Sequence, residues 1–167
     1  MRKNNKKLFL IDGMAIIYRS HFAMIKNPLI NSKGQHTSAI FGFINSINKI
    51  IKDNKPDFIA MILDSKEPTF RHEIFQDYKA NREKMPDELV SQLSHIDKII
   101  DALNIVSVRK PRFEADDIIG TIVETIKDKE IDTYIVSSDK DLMQLVNEKT
   151  FIYDLGNRFK PQKTYDT

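Results

Sequence analysis

The sequence predicts an α/β domain whose central sheet is mainly parallel and carries helices on both faces. Short apolar runs alternate with longer stretches in which apolar residues recur at helical spacing, as in chains that build parallel sheets. The run FIAMIL at residues 58–63 is apolar throughout, which is typical of a strand buried on both sides. The length of 167 residues suits one compact domain.

The strands are predicted from short apolar runs that end at turn residues. The first ends at the pair Asp12-Gly13, the second ends at Asp64, and Pro111 breaks the chain after the third. The expected strands lie at residues 8–11, 58–63, 105–108, 133–136 and 150–153.

The helices are predicted where apolar residues recur every three or four positions. Thr37 is expected to cap the second helix, Pro86 to begin the third and Glu114 to begin the fourth. Residues 65–85 are polar and contain Pro68, which predicts a long excursion that is helical only in part. The expected helices cover residues 13–25, 38–51, 86–103, 114–126 and 139–146.

Composition excludes several kinds of site. The absence of cysteine excludes disulfides, thiolate nucleophiles and zinc–thiolate centres, and it agrees with a reducing cytoplasm. The chain offers no apolar run of the roughly 20 residues that a membrane helix needs. The basic start reads as a solvated lead into a strand rather than as a signal peptide. The net charge of +2 does not by itself indicate nucleic acid, so any basic surface must be local.

Acidic residues follow the predicted strands. Asp12, Asp64 and Asp139 each stand at or just past the carboxyl end of a strand, and Glu114 follows another by a short loop. In an open α/β sheet these ends form the crevice in which ligands bind. Three further acids occupy the first turns of the helices that leave this rim: Asp116, Asp117 and Asp141.

Each acid also has a structural interpretation, as a helix cap, a turn residue or a complement to a helix dipole. Seven carboxylates on one rim would nevertheless repel one another at short range. A hard divalent cation such as Mg²⁺ or Mn²⁺ relieves that repulsion, whereas few histidines are near enough for a zinc site. Two such ions about 4 Å apart suit displacement at phosphorus, which predicts phosphodiester chemistry.

A basic segment, defined as residues 69–86, interleaves cations with aromatic rings. Arg71, Lys79, Arg82 and Lys84 lie among Phe75 and Tyr78, a mixture that suits single-stranded nucleic acid. The alternative is a solvated helix with internal ion pairs, since acids dilute the charge.

Five motifs in register carry a family resemblance: LFLIDGMAIIYRSHFA, GQHTSAIFGF, ILDSKEPTFRHEIFQDYKANR, FEADDIIGTI and VSSDKDLMQLV. Together they resemble the 5′-nuclease domain of bacterial DNA polymerase I and its stand-alone exonuclease relatives. The resemblance implies a PIN-like 5′-nuclease fold in which residues 65–86 form a basic helical arch. It also implies that the metal-site acids are Asp12, Asp64, Glu114, Asp116, Asp139 and Asp141, with Asp117 adjoining.

The resemblance further implies roles for the basic residues. Lys79 and Arg82 match a basic pair at the base of the arch, near the scissile phosphate, and are the expected catalytic cations. Arg19, Arg71 and Tyr78 match further DNA contacts. Arg19 pairing with an acid and Tyr78 belonging to the core remain alternatives.

Residues 1–167 are thus expected to form one catalytic domain, which hydrolyses DNA at 5′ ends, nicks or flaps in replication and repair. Family members continue with two more metal-site aspartates and a helix-hairpin-helix segment that are not in these residues, so weak duplex binding and weak cleavage are expected. A polymerase domain in the full gene is a further expectation. The alternatives are a PIN-type ribonuclease and a non-catalytic nucleic-acid-binding fragment.

Overall fold

The computed structural model describes residues 5–81, 83–156 and 162–166. Its sheet has the strand order β3-β2-β1-β4-β5-β6, and neighbouring strands are parallel except for the antiparallel pair β5 and β6. The strands are β1 Lys6–Asp12, β2 Phe58–Leu63, β3 Val106–Arg109, β4 Ile131–Val136, β5 Thr150–Asp154 and β6 Lys163–Tyr165. The mainly parallel sheet predicted from the sequence is confirmed.

Helices cover both faces of this sheet, as predicted. They are α1 Gly13–Ala23, α2 Ser38–Asn54, α3 Phe70–Ile74, α4 Asp87–Ala102 and α5 Ala115–Ile126, followed by a 3₁₀ helix at Asp141–Leu145. Asp139 was expected to begin the last of these helices, but it precedes the first turn, where its Oδ1 accepts a hydrogen bond from the Asp141 amide at 2.9 Å.

Each face of the sheet has its own hydrophobic core because side chains alternate along the strands. In β1, Phe9 and Ile11 pack with residues of α1, α2 and α4 on one face. Leu10, between them, packs with residues of α5 and the 3₁₀ helix on the other face. Residues 8–11 of this strand are all apolar, and the first acid of β1 is Asp12, at the sheet's carboxyl edge.

The cap of α2 comes from a distant helix. Thr37 occupies the N-cap position, as predicted, but its side chain does not cap the helix; its hydroxyl donates to the Leu29 carbonyl instead. The Gln92 side chain on α4 accepts hydrogen bonds from the amides of Ala39 and Ile40, at 2.9 and 3.2 Å. The prediction of a local Thr37 cap is therefore wrong, and the capping bond ties α2 to α4.

The region 65–86 is less helical than an arch implies. Among the described residues of this region only those of α3 are helical, and residues 76–81 form turns with Lys79 in a left-handed backbone conformation at φ 57°. Arg82 lies outside the described residues. Within the ranges that the structure describes, no helix is both long and apolar enough to cross a membrane.

Helices α1 and α2 approach closely where Gly42 faces Ser20. A Cβ at Gly42 would stand 2.7 Å from Ser20 Cβ and 3.1 Å from its Cα, closer than packed carbon atoms tolerate. At Gly120 on α5 a Cβ would meet nothing nearer than 3.8 Å.

The two helical glycines therefore make a matched pair for alanine substitution. Gly42→Ala is expected to lower the free energy of unfolding by about 1–3 kcal/mol because the new methyl group overpacks the helix crossing. Gly120→Ala is expected to raise it by about 0.5–1 kcal/mol, since alanine favours the helix and the space is open. Urea unfolding of both variants measures this, and equal effects of the two would contradict the close approach of α1 and α2.

Candidate functional site

A cavity of about 440 Å³ opens at the carboxyl edge of the sheet, beside the central strands β1, β2 and β4. This is the crevice where the chain order reverses, because β2 and β3 lie on one side of β1 and β4 lies on the other. Five of the seven predicted acids line the cavity: Asp12, Asp64, Glu114, Asp116 and Asp139.

Asp12 is both a structural cap and a wall of this cavity. Its Oδ1 accepts from the Ala15 amide at 3.0 Å, which caps α1, and its Oδ2 accepts from the Ser137 hydroxyl at 2.9 Å. The side chain is only 8% exposed. Burial raises the pKa of the Asp12 carboxyl, and the charges of Asp64 and Asp139 add to that rise against the two hydrogen bonds.

Ser137 is a site residue that sequence reasoning missed. It follows β4 and is buried, and its Oγ donates to Asp12 while accepting from the Asp139 amide at 3.1 Å. The hydroxyl thereby fixes two acids of neighbouring strands relative to each other. A polar residue directly after an apolar strand was the available signal, in VSSD.

Asp116 is the acid most affected by its neighbours. Burial, as the largest cause, and the negative charges of four acids together raise the pKa of its carboxyl to about 6; these acids are Asp12, Asp139, Asp64 and Glu114. Asp64 stands nearby because its Oδ1 accepts from the Ala115 amide at 2.7 Å, which joins the end of β2 to the first turn of α5. The cavity therefore concentrates negative charge that the protein leaves only partly compensated.

Glu114 faces the basic segment. Its Oε1 lies 3.0 Å from Lys79 Nζ, and its Oε2 accepts from the Tyr78 hydroxyl at 3.1 Å. Lys79 also lines the cavity. The structure thus brings Lys79 to the acids, while its expected position near a scissile phosphate stays a prediction, and Tyr78 is partly buried against Glu114.

Asp117 and Asp141 are not among the residues that line the cavity. Asp117 forms a two-pronged ion pair with Arg71, with both nitrogen–oxygen distances at 2.7 Å, and this pairing lowers the pKa of its carboxyl. Asp141 is exposed at the start of the 3₁₀ helix. The directions in which side chains leave α5 and the 3₁₀ helix separate these two acids from the five in the cavity. The sequence pattern did not define those directions.

Arg19 lines the cavity from α1. Burial lowers the pKa of its guanidinium, while the charge of Asp154 acts in the opposite direction. The acid whose charge acts on Arg19 is Asp154, at the end of β5, and the pairing of Arg19 with an acid stays a prediction. The guanidinium is nevertheless placed where an anion entering the cavity would meet it.

The donor set of the cavity suits a hard cation, since carboxylate oxygens are the ligands that Mg²⁺ and Mn²⁺ prefer. In the described part of the chain, no group of three or more His, Cys, Asp or Glu side chains is arranged to hold one metal ion. Mg²⁺ commonly retains several waters and takes only one or two carboxylates directly. The cavity therefore fits a partly hydrated ion better than a closed protein cage.

Because burial and the neighbouring negative charges raise the pKa of Asp116, Asp116→Asn is expected to stabilise the metal-free protein at neutral pH. Between pH 3.8 and about 6 the folded state keeps a proton that the unfolded state has lost, so this group's stabilising contribution disappears as pH rises through that window. Above this window, the free energy of unfolding of the variant should exceed that of the unchanged protein by about 1 kcal/mol. This is well below the value that the full pKa difference would give, because the carboxyl is partly solvated.

Thermal melts in EDTA at pH 4 and pH 7.5 test this expectation. The control is Asp101→Asn, at an exposed residue of α4. The Asp116→Asn variant should match the unchanged protein at pH 4 and melt higher at pH 7.5. A lower melting temperature at pH 7.5 would contradict the crowding of charge around Asp116.

Residues 7–167 match the family model described as the 5′-3′ exonuclease, N-terminal resolvase-like domain. The chain is 40% identical over 148 residues to DNA polymerase I of Bacillus subtilis, a match that covers 88% of this chain and 16% of the polymerase. It is 38% identical over 152 residues to a 5′-3′ exonuclease of Aquifex aeolicus, covering 91% of this chain and 52% of that protein.

Solved structures share the fold. A T5 5′-exonuclease with bound divalent zinc ions superimposes with a TM-score of 0.71 at 19% identity, covering 96% of this chain and 58% of that one. A bacteriophage T5 flap endonuclease in a complex with DNA and metal ions gives 0.74 at 17% identity, with the same coverage.

The relatives are longer than this chain, which spans about half of the Aquifex exonuclease and a sixth of the Bacillus polymerase. The family match nevertheless runs over nearly all of the chain. This chain therefore belongs to the family of the 5′-3′ exonuclease N-terminal resolvase-like domain.

Proposed function

We propose that this chain is the catalytic domain of a divalent-metal-dependent 5′-nuclease that hydrolyses DNA phosphodiesters. The observation that carries the proposal is the cavity in which five carboxylates meet two cations, Lys79 and Arg19. Five carboxylates can bind divalent metal ions, and the neighbouring cationic side chains can bind the phosphate on which the ions act. Membership of the exonuclease family supports the same reaction.

The metal ions proposed are Mg²⁺ or Mn²⁺, two of them in the complete site. Asp12, Asp64, Asp116 and Asp139 line the cavity and would provide the central ligands, with Glu114 at the side of the basic segment. Asp141 is exposed and does not line the cavity, and its match to the family motif alone supports it as a further ligand. When bound, such ions polarise a phosphate and lower the pKa of a coordinated water.

The cations of the chain are proposed to hold the phosphate. Lys79 and Arg19 line the same cavity from the basic segment and from α1, so a phosphate between them would meet positive charge from two elements. Lys79 now contacts Glu114, and a metal ion beside Glu114 would free its ammonium group for the phosphate. Arg82 is proposed as a second catalytic cation from its match to the family motif alone.

Aromatic side chains at the cavity suit nucleobases. Tyr18 and Phe22 both line it and stack on each other with ring centroids 6.1 Å apart. Rings of this kind bind bases without regard to sequence, which fits a nuclease directed by DNA structure.

The proposed substrate is a DNA 5′ end, nick or flap in cytoplasmic replication and repair. The named relatives include DNA polymerase I, and the T5 flap endonuclease was solved with DNA. A polymerase domain in the same polypeptide is proposed on the same ground. A PIN-type ribonuclease and a non-catalytic nucleic-acid-binding fragment are the alternatives.

A cleavage assay distinguishes these alternatives. Matched 5′-labelled DNA and RNA flaps, incubated with the protein and Mn²⁺, should yield products from the DNA flap only. Faster cleavage of the RNA flap would favour the ribonuclease, and binding of both flaps without cleavage would favour the non-catalytic fragment.

Millimolar Mn²⁺ or Mg²⁺ is expected to raise the melting temperature relative to EDTA, because an ion that binds only the folded state stabilises it. Asp116→Asn should remove most of this increase, since it removes the carboxylate that four other acids surround. Asp101→Asn should keep it. Equal melting temperatures with and without metal for the unchanged protein would overturn the metal proposal.

Lys79→Ala is expected to slow single-turnover cleavage of a 5′-flap about 10- to 1000-fold while weakening flap binding only a few-fold. A cation beside the phosphate stabilises charge that grows in the transition state, so its loss falls mainly on the chemical step. Lys84→Ala, an exposed lysine of the same segment, is the control. A loss of affinity with an unchanged cleavage rate would make Lys79 an ordinary phosphate contact.

A further inference from the structure

A two-pronged ion pair joins Arg71 of the basic segment to Asp117 of α5. We propose that this pair is a positioning device, which docks the basic segment on α5 and thereby places Lys79 at the cavity. Arg71 is then not a DNA ligand, and Asp117 is not a metal ligand, in contrast to the roles expected from the sequence. The inference rests on the proposed nuclease function for its effect on cleavage, but not for the docking itself.

Asp117 has its oxygens occupied by protein donors. Oδ1 accepts from Arg71 Nη2 at 2.7 Å, and Oδ2 accepts from Arg71 Nη1 at 2.7 Å and from the Glu114 amide at 3.0 Å. Its side chain is 19% exposed and does not line the cavity. A metal ion would have to displace a charge-assisted, two-pronged partner to reach it, whereas five other carboxylates already face the cavity.

Arg71 is equally committed to the protein. Both of its terminal nitrogens bind Asp117, Nη1 lies 3.9 Å from Glu114 Oε2, and the guanidinium carbon lies 4.7 Å from the centre of the Phe70 ring. Phe70 in turn packs against Phe113, which precedes Glu114. Asp117 uses two of the five guanidinium N–H donors, and a DNA phosphate could recruit these two only by displacing that carboxylate.

The residues that follow the docked helix α3 contact Glu114 at the cavity. The ring of His72, next to Arg71, packs edge-on against Tyr78 at 5.3 Å, and Tyr78 donates to Glu114. Lys79, the next residue, reaches the other oxygen of Glu114. Because Asp117 lies one turn beyond Glu114 on the same helix, the ion pair sets the position of Tyr78 and Lys79 relative to the acids.

Hydrogen exchange of the protein without DNA tests the docking. In Arg71→Gln and in Asp117→Asn, the amides of Phe75, Tyr78 and Ala80, which are hydrogen-bonded within the segment, should exchange at least tenfold faster. Asp117→Asn keeps a carbonyl oxygen for the Glu114 amide, so α5 should remain protected. The control is Arg112→Gln, which breaks an ion pair to Glu73 whose two side chains are each 57% exposed, and it should leave these amides unchanged.

Metal titration and single-turnover cleavage complete the test. Both variants should bind Mn²⁺ within about twofold of the unchanged protein and cleave a 5′-flap at least tenfold more slowly, and the double variant should be no slower than the slower single variant. Arg71→Lys should not restore the rate, because an ammonium group cannot make the two-pronged contact.

Three results would overturn the proposal. A tenfold loss of Mn²⁺ affinity in Asp117→Asn would make Asp117 a metal ligand. Full activity of Arg71→Lys, with slow exchange in the segment, would make Arg71 a phosphate contact. Unchanged exchange in both variants would remove the docking itself. If the unchanged protein cleaves no substrate while the exchange results hold, the proposed function fails and the docking stands.

Discussion

Mutual repulsion among carboxylates at the carboxyl edge of three adjacent parallel strands is the constraint around which this structure is organised. The sheet order places β1 between β2 and β4, so the acids that follow these strands converge on one cavity. Local hydrogen bonds offset part of the repulsion: Asp12 binds the Ala15 amide and Ser137, and Asp64 binds the Ala115 amide. At Asp116, burial and the charges of four neighbouring acids together raise the pKa of the carboxyl.

The same constraint explains why the basic segment folds back on the sheet. Its cations meet the acids of the first turn of α5, where Lys79 contacts Glu114 and Arg71 contacts Asp117. Positive and negative elements that are separate in the sequence thereby become one electrostatic unit. The net charge of +2 hides this arrangement, because opposite charges are arranged across one site rather than spread over the surface.

The sequence predicted those features that depend on neighbouring residues. Buried parallel strands can be recognised in a sequence as apolar runs. Acids placed after such strands must lie at the sheet's carboxyl edge, so the convergence of Asp12, Asp64 and Asp139 could be predicted. β6 was missed because its three residues become a strand only by pairing with β5. The Gln92 cap and the Arg71 pair join residues about 50 positions apart, and no local pattern records such contacts.

The position of β1 at the centre of the sheet also bears on how the chain folds as it is synthesised. Among the described strands β1 is made before the others, yet one of its edges pairs with β4, which begins only at Ile131. Until then a nascent chain can pair β1 with β2 alone, and the other edge of β1 stays open. Such an edge recruits other strands, so the ribosome-bound intermediate is the stage at which this domain is most exposed to aggregation and to chaperone binding.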